Sequence, residues 1–228
     1  MSPQSTFRVF AELPLEIIVK VLLKLPYPSL LVVQQLSRKF RDIIQEDPEL
    51  GVALFKKMSK VYVQTVDNSK LCGGILRIDE AKSEPVRLHP ALPIVDYVLM
   101  LPADSAVLWN KRTSTETRIL DLAIANDFIS IPVVTLLKIH VHDPSLDTGY
   151  MMPGEDASFN VVVKNPKGVR LGDFFRKLDS ASNVKVDDLF RRGMLFGDQV
   201  HYDGLHEMKR KGLSLTGRIL LSNSRGRK

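Results

Sequence analysis

The sequence predicts an α+β protein: an N-terminal three-helix module followed by a mixed α+β domain with a mainly antiparallel sheet. Three observations carry this expectation. Apolar residues recur at helical spacing over residues 13–50, and prolines cut that run into short pieces. A long, β-branched apolar segment occupies residues 133–141, and an alternating one occupies 159–164. No repeat of fixed period runs along the chain, which argues against propeller and leucine-rich architectures.

The first segment reads LPLEIIVKVLLKLPYPSLLVVQQLSRKFRDIIQEDPEL. Ile17, Ile18, Val21, Leu22 and Leu25 lie along one helix, which Pro26 and Pro28 interrupt. Leu30, Leu31, Val33 and Leu36 mark a second helix; Phe40, Ile43 and Ile44 mark a third. A unit of roughly forty residues is too small to bury a sufficient core alone. Apolar on more than one face, it completes that core on another surface.

In order, LP, paired isoleucines, L-LP, S-LL, LSR-F, R-II and P-L resemble the F-box. The resemblance implies a partner, because F-box modules dock onto the adaptor subunit of SCF-type (cullin–RING) ubiquitin ligases. Leu13 and Pro14 match the pair that starts the docking helix, and Ile17, Ile18, Val21, Leu22 and Leu25 match its apolar positions. Leu30, Leu31, Leu36, Ser37 and Phe40 match the second and third helices. Two residues depart from the pattern: Leu36 stands where the family more often has valine, and Phe40 where it often has tryptophan. Both keep the position large and apolar.

Beyond the third helix, Asp47-Pro48 marks a boundary, since the residue before proline avoids the helical region. Pro48 can open a further helix over 49–60, with Leu50, Ala53, Leu54 and Met58 on one face. Residues 61–66 alternate as a strand, and Gly73-Gly74 turns into a second with Ile75, Leu76 and Ile78. Short apolar segments at 97–101 and 106–109 precede a short helix at 122–128 capped by Asp121. The segment 133–141 reads as the central strand. A loop rich in Asp, Pro and Gly follows at 142–156, then the partner strand 159–164 and the turn Asn165-Pro166-Lys167-Gly168. Helical spacing returns at 173–178 and 186–190, and 215–221 is a final strand.

The segments LHPAL, YVL, PVVTLLKI, VVVKNPKGVRLGDFFRKL and GLHEM–GRILL are together similar to a domain common in basidiomycete fungi, over roughly residues 88–221. That resemblance implies no activity, and its motifs suit turns and helix starts. The organisation expected is therefore a head with a linker helix (1–58), a target-recognition body (59–222) and a basic tail (223–228).

Composition is ordinary for a folded chain of 228 residues, at 44% hydrophobic and 25% charged. The one cysteine, Cys72, permits no intrachain disulfide and suits a reducing compartment. No secretory signal or bilayer-length apolar run is present, so cytoplasm or nucleus is expected. The net charge of +6 is dispersed; its densest parts are Lys209-Arg210-Lys211 and the end at Arg225, Arg227 and Lys228. Without aromatic interleaving these read as a solvated turn and terminus rather than a nucleic-acid site.

Nothing in the sequence reads as an active site. His140 and His142 share one face of a strand, but no third ligand has metal spacing, so neither metal nor cofactor is expected. No serine lies in a nucleophile elbow, and neither Gly73-Gly74 nor 168–172 has phosphate-loop spacing. The sequence thus predicts a non-enzymatic F-box substrate receptor with an unknown protein target. A non-degradative adaptor-bound scaffold and a basic nucleic-acid-associated protein are the alternatives. Target contact is expected at Tyr150, Met151 and Met152, an aromatic and thioether cluster in the long loop.

Overall fold

The computed structural model describes residues 12–59, 85–110, 115–142, 158–185, 192–196 and 200–223. The expected strands at 61–66 and 75–78, Cys72, the helix at 186–190 and the Tyr150, Met151, Met152 cluster lie outside the described residues.

The head consists of α1 (Leu15–Leu22), α2 (Tyr27–Leu36) and α3 (Arg38–Glu46), followed by a short α4 (Pro48–Ala53). Prolines punctuate it as their geometry requires. Pro14 and Pro26 sit at the N-caps of α1 and α2, and Pro28 and Pro48 fall in first turns, where a missing N–H costs nothing. Ser37 caps α3 by accepting from the Phe40 N–H at 3.2 Å, and Asp47 caps α4 by accepting from Leu50 at 2.9 Å. Ile18, Leu22, Leu30, Phe40, Ile44, Leu50, Ala53 and Leu54 form the head's core.

The linker helix expected over 49–60 stops at Ala53. The Lys56 N–H donates to Gly51 O and the Phe55 N–H to Val52 O, both at 2.9 Å. This is a Schellman closure, and it puts Phe55 at φ 62, where glycine is the usual residue. The turn carries the Phe55 ring out of the head and into the body.

In the body, β6 (Leu136–His142), β7 (Ser158–Lys164), β8 (His201–Lys211) and β9 (Ser214–Ser222) form a four-stranded sheet in the order β7-β6-β9-β8. β6 is central, antiparallel to β7 and parallel to β9. Leu137, Ile139 and Val141 of β6, Phe159, Val161 and Val163 of β7, and Leu215 and Ile219 of β9 are buried on one face. α5 (Leu171–Ser182) contributes Leu171, Phe174, Phe175 and Leu178 to the same core. Before this sheet come β1 (Arg87–Leu88), β2 (Val95–Asp96), β3 (Val107–Asn110), β4 (Thr115–Arg118) and β5 (Ser130–Ile131). They make a three-stranded β2-β3-β4 sheet and a β1-β5 pair, and the body is α+β with mostly antiparallel pairing.

The turn expected after β7 is present: Gly168, at φ 98, donates to Asn165 O at 2.9 Å. A Cβ at Gly168 would lie 2.5 Å from Val133 Cγ1, so space and backbone both demand glycine.

Three further expectations fail for identifiable reasons. The helix at 122–128 is replaced by 3₁₀ turns at Ile119–Asp121 and Ala123–Asn126, because Phe128 extends to donate its N–H to Phe55 O at 2.7 Å. The central strand begins at Leu136 rather than at 133, with Val133 and Val134 buried ahead of it. Lys209-Arg210-Lys211 ends a strand instead of forming a turn. β8 escapes a period-two reading because its register shifts twice, between Tyr202 and Leu205 and between His206 and Lys209.

Candidate interaction surface of the helical head

The helical spacing that builds the head's core also leaves apolar groups outside it. On α1, Ile18 and Leu22 point inward, whereas Leu15, Ile17 and Val21 are 53%, 42% and 39% exposed. On α2, Leu30 is buried, but Val32 and Leu36 are 57% and 55% exposed. Ile17 with Val21, and Val32 with Leu36, are i,i+4 pairs, so each forms a two-residue apolar ridge one turn long.

The sequence-derived residues therefore divide. Pro14, Ile17, Val21 and Leu36 are exposed; Leu13, Leu25, Leu31 and Ser37 are half-buried; Ile18, Leu22, Leu30 and Phe40 are interior. Those four interior side chains have no surface to offer a partner and act by holding the helices in place. Leu15 and Val32 were missed. Val32 could have been found from its position one turn before Leu36, while Leu15 falls outside the stripe that the other α1 residues define.

A second feature joins this head to the body. Val52, Phe55 and Ile131 form a buried cluster with Tyr27 packed against it. The rings of Tyr27 and Phe55 meet His89 edge-on at centroid distances of 5.1 and 4.8 Å. The Arg87 guanidinium lies 5.0 Å over the Phe55 ring and donates to Ala53 O at 3.0 Å. His89 is fully buried, and its Nδ1 accepts from the Ala91 N–H at 3.1 Å. The ring proton is then on Nε2, which faces Asp127 Oδ2 at 3.7 Å. Burial holds the His89 pKa below its ordinary value despite the opposing pull of Asp127. Burial, with a smaller contribution from the Asp127 charge, pushes the Tyr27 hydroxyl well above its ordinary range.

The remaining candidates are dispersed. His140 lies on β6 with Nδ1 3.3 Å from Asn160 Oδ1. His206 Nε2 is 3.2 Å from Asp203 O, in the bulged part of β8. Among the described residues no group of three His, Cys, Asp or Glu side chains could hold a metal ion. Arg210 is committed to structure, donating to Pro85 O and Gly212 O. No described helix is long and apolar enough to cross a membrane.

Residues 10–50 match the F-box domain, a segment that covers the whole of α1, α2 and α3. No curated protein and no solved structure matches the chain. The F-box domain thus supports adaptor binding in an SCF-type ligase as the general role of the head.

Proposed function

We propose that this chain is an F-box substrate receptor, in which the head docks on the ligase adaptor and the body recruits a protein target. The observation that carries the reading is the pairing of the F-box match at 10–50 with apolar ridges left exposed on the same helices. Ile17 and Val21, with Leu15 and Pro14 at the start of α1 and Val32 and Leu36 on α2, supply the contacts. Ile18, Leu22, Leu30 and Phe40 fix the helix positions from inside, and Ser37 sets the start of α3. Desolvating such ridges against a matching groove supplies affinity without any polar chemistry.

The chain's own catalytic contribution is nil on this reading. Holding a target beside a ubiquitin-loaded enzyme raises the effective concentration of its lysines, and the chemistry stays with the rest of the complex. The resemblance of 88–221 to a fungal domain adds no activity to the body. Cytoplasm and nucleus are the compartments where such a complex works.

Copurification of the adaptor with the full chain tests the reading. Ile17→Ser with Val21→Ser should lower adaptor affinity by about thirtyfold, since truncating a desolvated anchor costs about 2 kcal/mol. Retention of the adaptor at wild-type affinity by that variant would falsify docking through α1.

A further inference from the structure

The two edges of the four-stranded sheet are treated differently. Along β8, the outer edge is covered: Tyr202 donates to Tyr97 O at 2.8 Å, Leu99 to Val200 O at 2.8 Å, and Val98 bridges His201. Along β7, pairing with β6 is continuous from Leu136↔Lys164 to His142↔Ser158, and among the described residues no strand lies on the other side. In an antiparallel ladder, alternate residues of such an edge strand turn their N–H and C=O groups outward. Among the described residues, β7 is therefore an edge whose outward backbone donors and acceptors can pair with an added strand.

Beside that edge lies an open groove of about 520 Å³, lined by Val162, Val163, Lys164, Asn165, Asp173, Arg176 and Lys177. Lys164 comes from the end of β7, while Arg176 and Lys177 come from the exposed flank of α5, so three cations from two elements converge on one groove. The one acid there is already engaged. Asp173 Oδ2 accepts from Asn165 Nδ2 at 2.8 Å and from the Arg170 N–H at 3.2 Å, closing the N-terminus of α5. Among the described residues, Lys164, Arg176 and Lys177 form no ion pair with an acid. An edge lysine often serves only to discourage aggregation. Here β7 itself carries one charge in seven residues, and the other two arise from the helix alongside, where guarding the edge does not require them.

We propose that the β7 edge and the adjoining flank of α5 bind an extended acidic segment of the target protein, added antiparallel or parallel as a fifth strand. The inference rests on the reading of the body as the target-binding part. Backbone pairing to β7 gives the affinity. Alternate side chains of the segment fall on opposite faces of the extended sheet. Those on the helix side meet Arg176 and Lys177; those on the open side lie beside Asn160, Val162 and Lys164. Acidic residues satisfy both rows, and Val162, half-buried on the open side, favours a small β-branched side chain beside it. A second copy of this chain is less suited as the occupant, because its own β7, SFNVVVK, carries no acid to meet these cations.

The test uses the full chain and a fluorescein-labelled peptide of about ten residues in Glu-Glu-Val-Val repeats, which puts acids on both faces of an extended strand. The peptide should bind, and Arg176→Glu with Lys177→Glu should weaken it about tenfold or more, with thermal stability unchanged because both side chains are exposed. N-methylation of alternate amides, which removes the donors without touching the charges, should abolish binding in one of its two phases along the peptide. A lysine-for-glutamate peptide should not bind. Equal affinity of wild type and double variant, indifference to N-methylation in both phases, or tighter binding of an oligouridine RNA competed by the peptide would each overturn the site. Lys164→Glu provides a second variant on the other element. Ile17→Ser with Val21→Ser should leave peptide binding intact. Failure of the wild-type chain to bind the adaptor while it binds the peptide would therefore sink the ligase reading alone, and adaptor binding by a wild-type chain that does not bind the peptide would sink the peptide site alone.

Discussion

Head and body dispose of their apolar residues by different rules. The central strands of the body's sheet follow a parity: Leu137, Ile139 and Val141 go in, while Lys138 and His140 face out, as do Asn160, Thr216 and Arg218 on neighbouring strands. Exposed apolar residues in the body, such as Ile94, Leu101 and Leu220, are scattered singly. The head has no such parity, and five large apolar side chains stay exposed on α1 and α2. The difference assigns each part a style of recognition. A helical surface left apolar docks by desolvation, whereas a sheet that has sorted its residues by sign offers its edge and its charges.

The strongest way to break this contrast is to cut what links the two parts. Phe55 is fully buried at the joint, and its backbone is held at positive φ to put the ring there. Phe55→Ala should cost about 3 to 5 kcal/mol, the range for deleting a buried aromatic ring. Calorimetry or denaturant unfolding of the full chain checks it. Phe55→Gly sharpens the point, since glycine relieves the left-handed backbone and should be less damaging than alanine by about 1 kcal/mol. Equal losses for both would show that the ring, and not the turn, sets the whole cost.

A paired substitution on α1 tests the division between interior and ridge. Ile18→Ala should cost about 2 to 4 kcal/mol of stability, as expected for a core isoleucine. Its neighbour Ile17→Ala should change stability by about 0.5 kcal/mol or less and show its effect in adaptor affinity instead. Were Ile17→Ala as destabilising as Ile18→Ala, the ridge would be part of the fold and not a free surface.

How legible these features were in the sequence follows from their physics. The head's helices were readable because spacing, prolines and caps agree locally. The direction each apolar residue faces was not, since a stripe covering more than one face fits several rotations of the helix. In the body, β6, β7, β9 and α5 announce themselves by periodicity, and the 165–168 turn by its Asn-Pro-x-Gly chemistry. β8 was hidden by two register shifts, with Gly204 and Glu207 at positive φ near them. The joint was hidden more deeply. Phe55, His89 and Asp127 are far apart in the chain, and no local rule announces a phenylalanine in a glycine's conformation. The α5 flank was seen as a helix, but its convergence with Lys164 depends on tertiary placement alone.

The joint also gives the comparison a pH dependence. His89 has its pKa lowered from 6.5 by burial, so it is neutral when folded, with Asp127, Arg87 and Tyr27 the charged or titratable groups facing it. The unfolded chain takes up the proton first as pH falls. The stabilising contribution is therefore complete above about pH 6.5 and is lost progressively below it, at up to about 1.4 kcal/mol per pH unit for one proton. His89→Asn retains an acceptor for the Ala91 N–H but does not titrate. Between pH 7.5 and 5.5 the wild type should lose more stability than this variant, and identical slopes would remove His89 from the account.

The smallest effect separates two roles assigned to one residue. Ser37 matches an adaptor-facing position of the F-box pattern, yet its hydroxyl accepts from the Phe40 N–H and so begins α3. If capping is the whole of its role, Ser37→Ala should cost about 1 kcal/mol of stability, and Ser37→Asp, which can cap equally well, should recover it. Adaptor affinity discriminates between the roles because Ser37→Asp keeps the cap while adding a charge, whereas Ser37→Ala loses the cap and adds none. Capping alone predicts that affinity follows stability, with Ser37→Asp restored to wild type in both. A direct contact predicts that Ser37→Asp regains its melting temperature while binding the adaptor worse than alanine does, since a carboxylate desolvated against an apolar groove is penalised where a methyl group is not. The head's outer surface would then include the hinge between α2 and α3 as well as the two ridges.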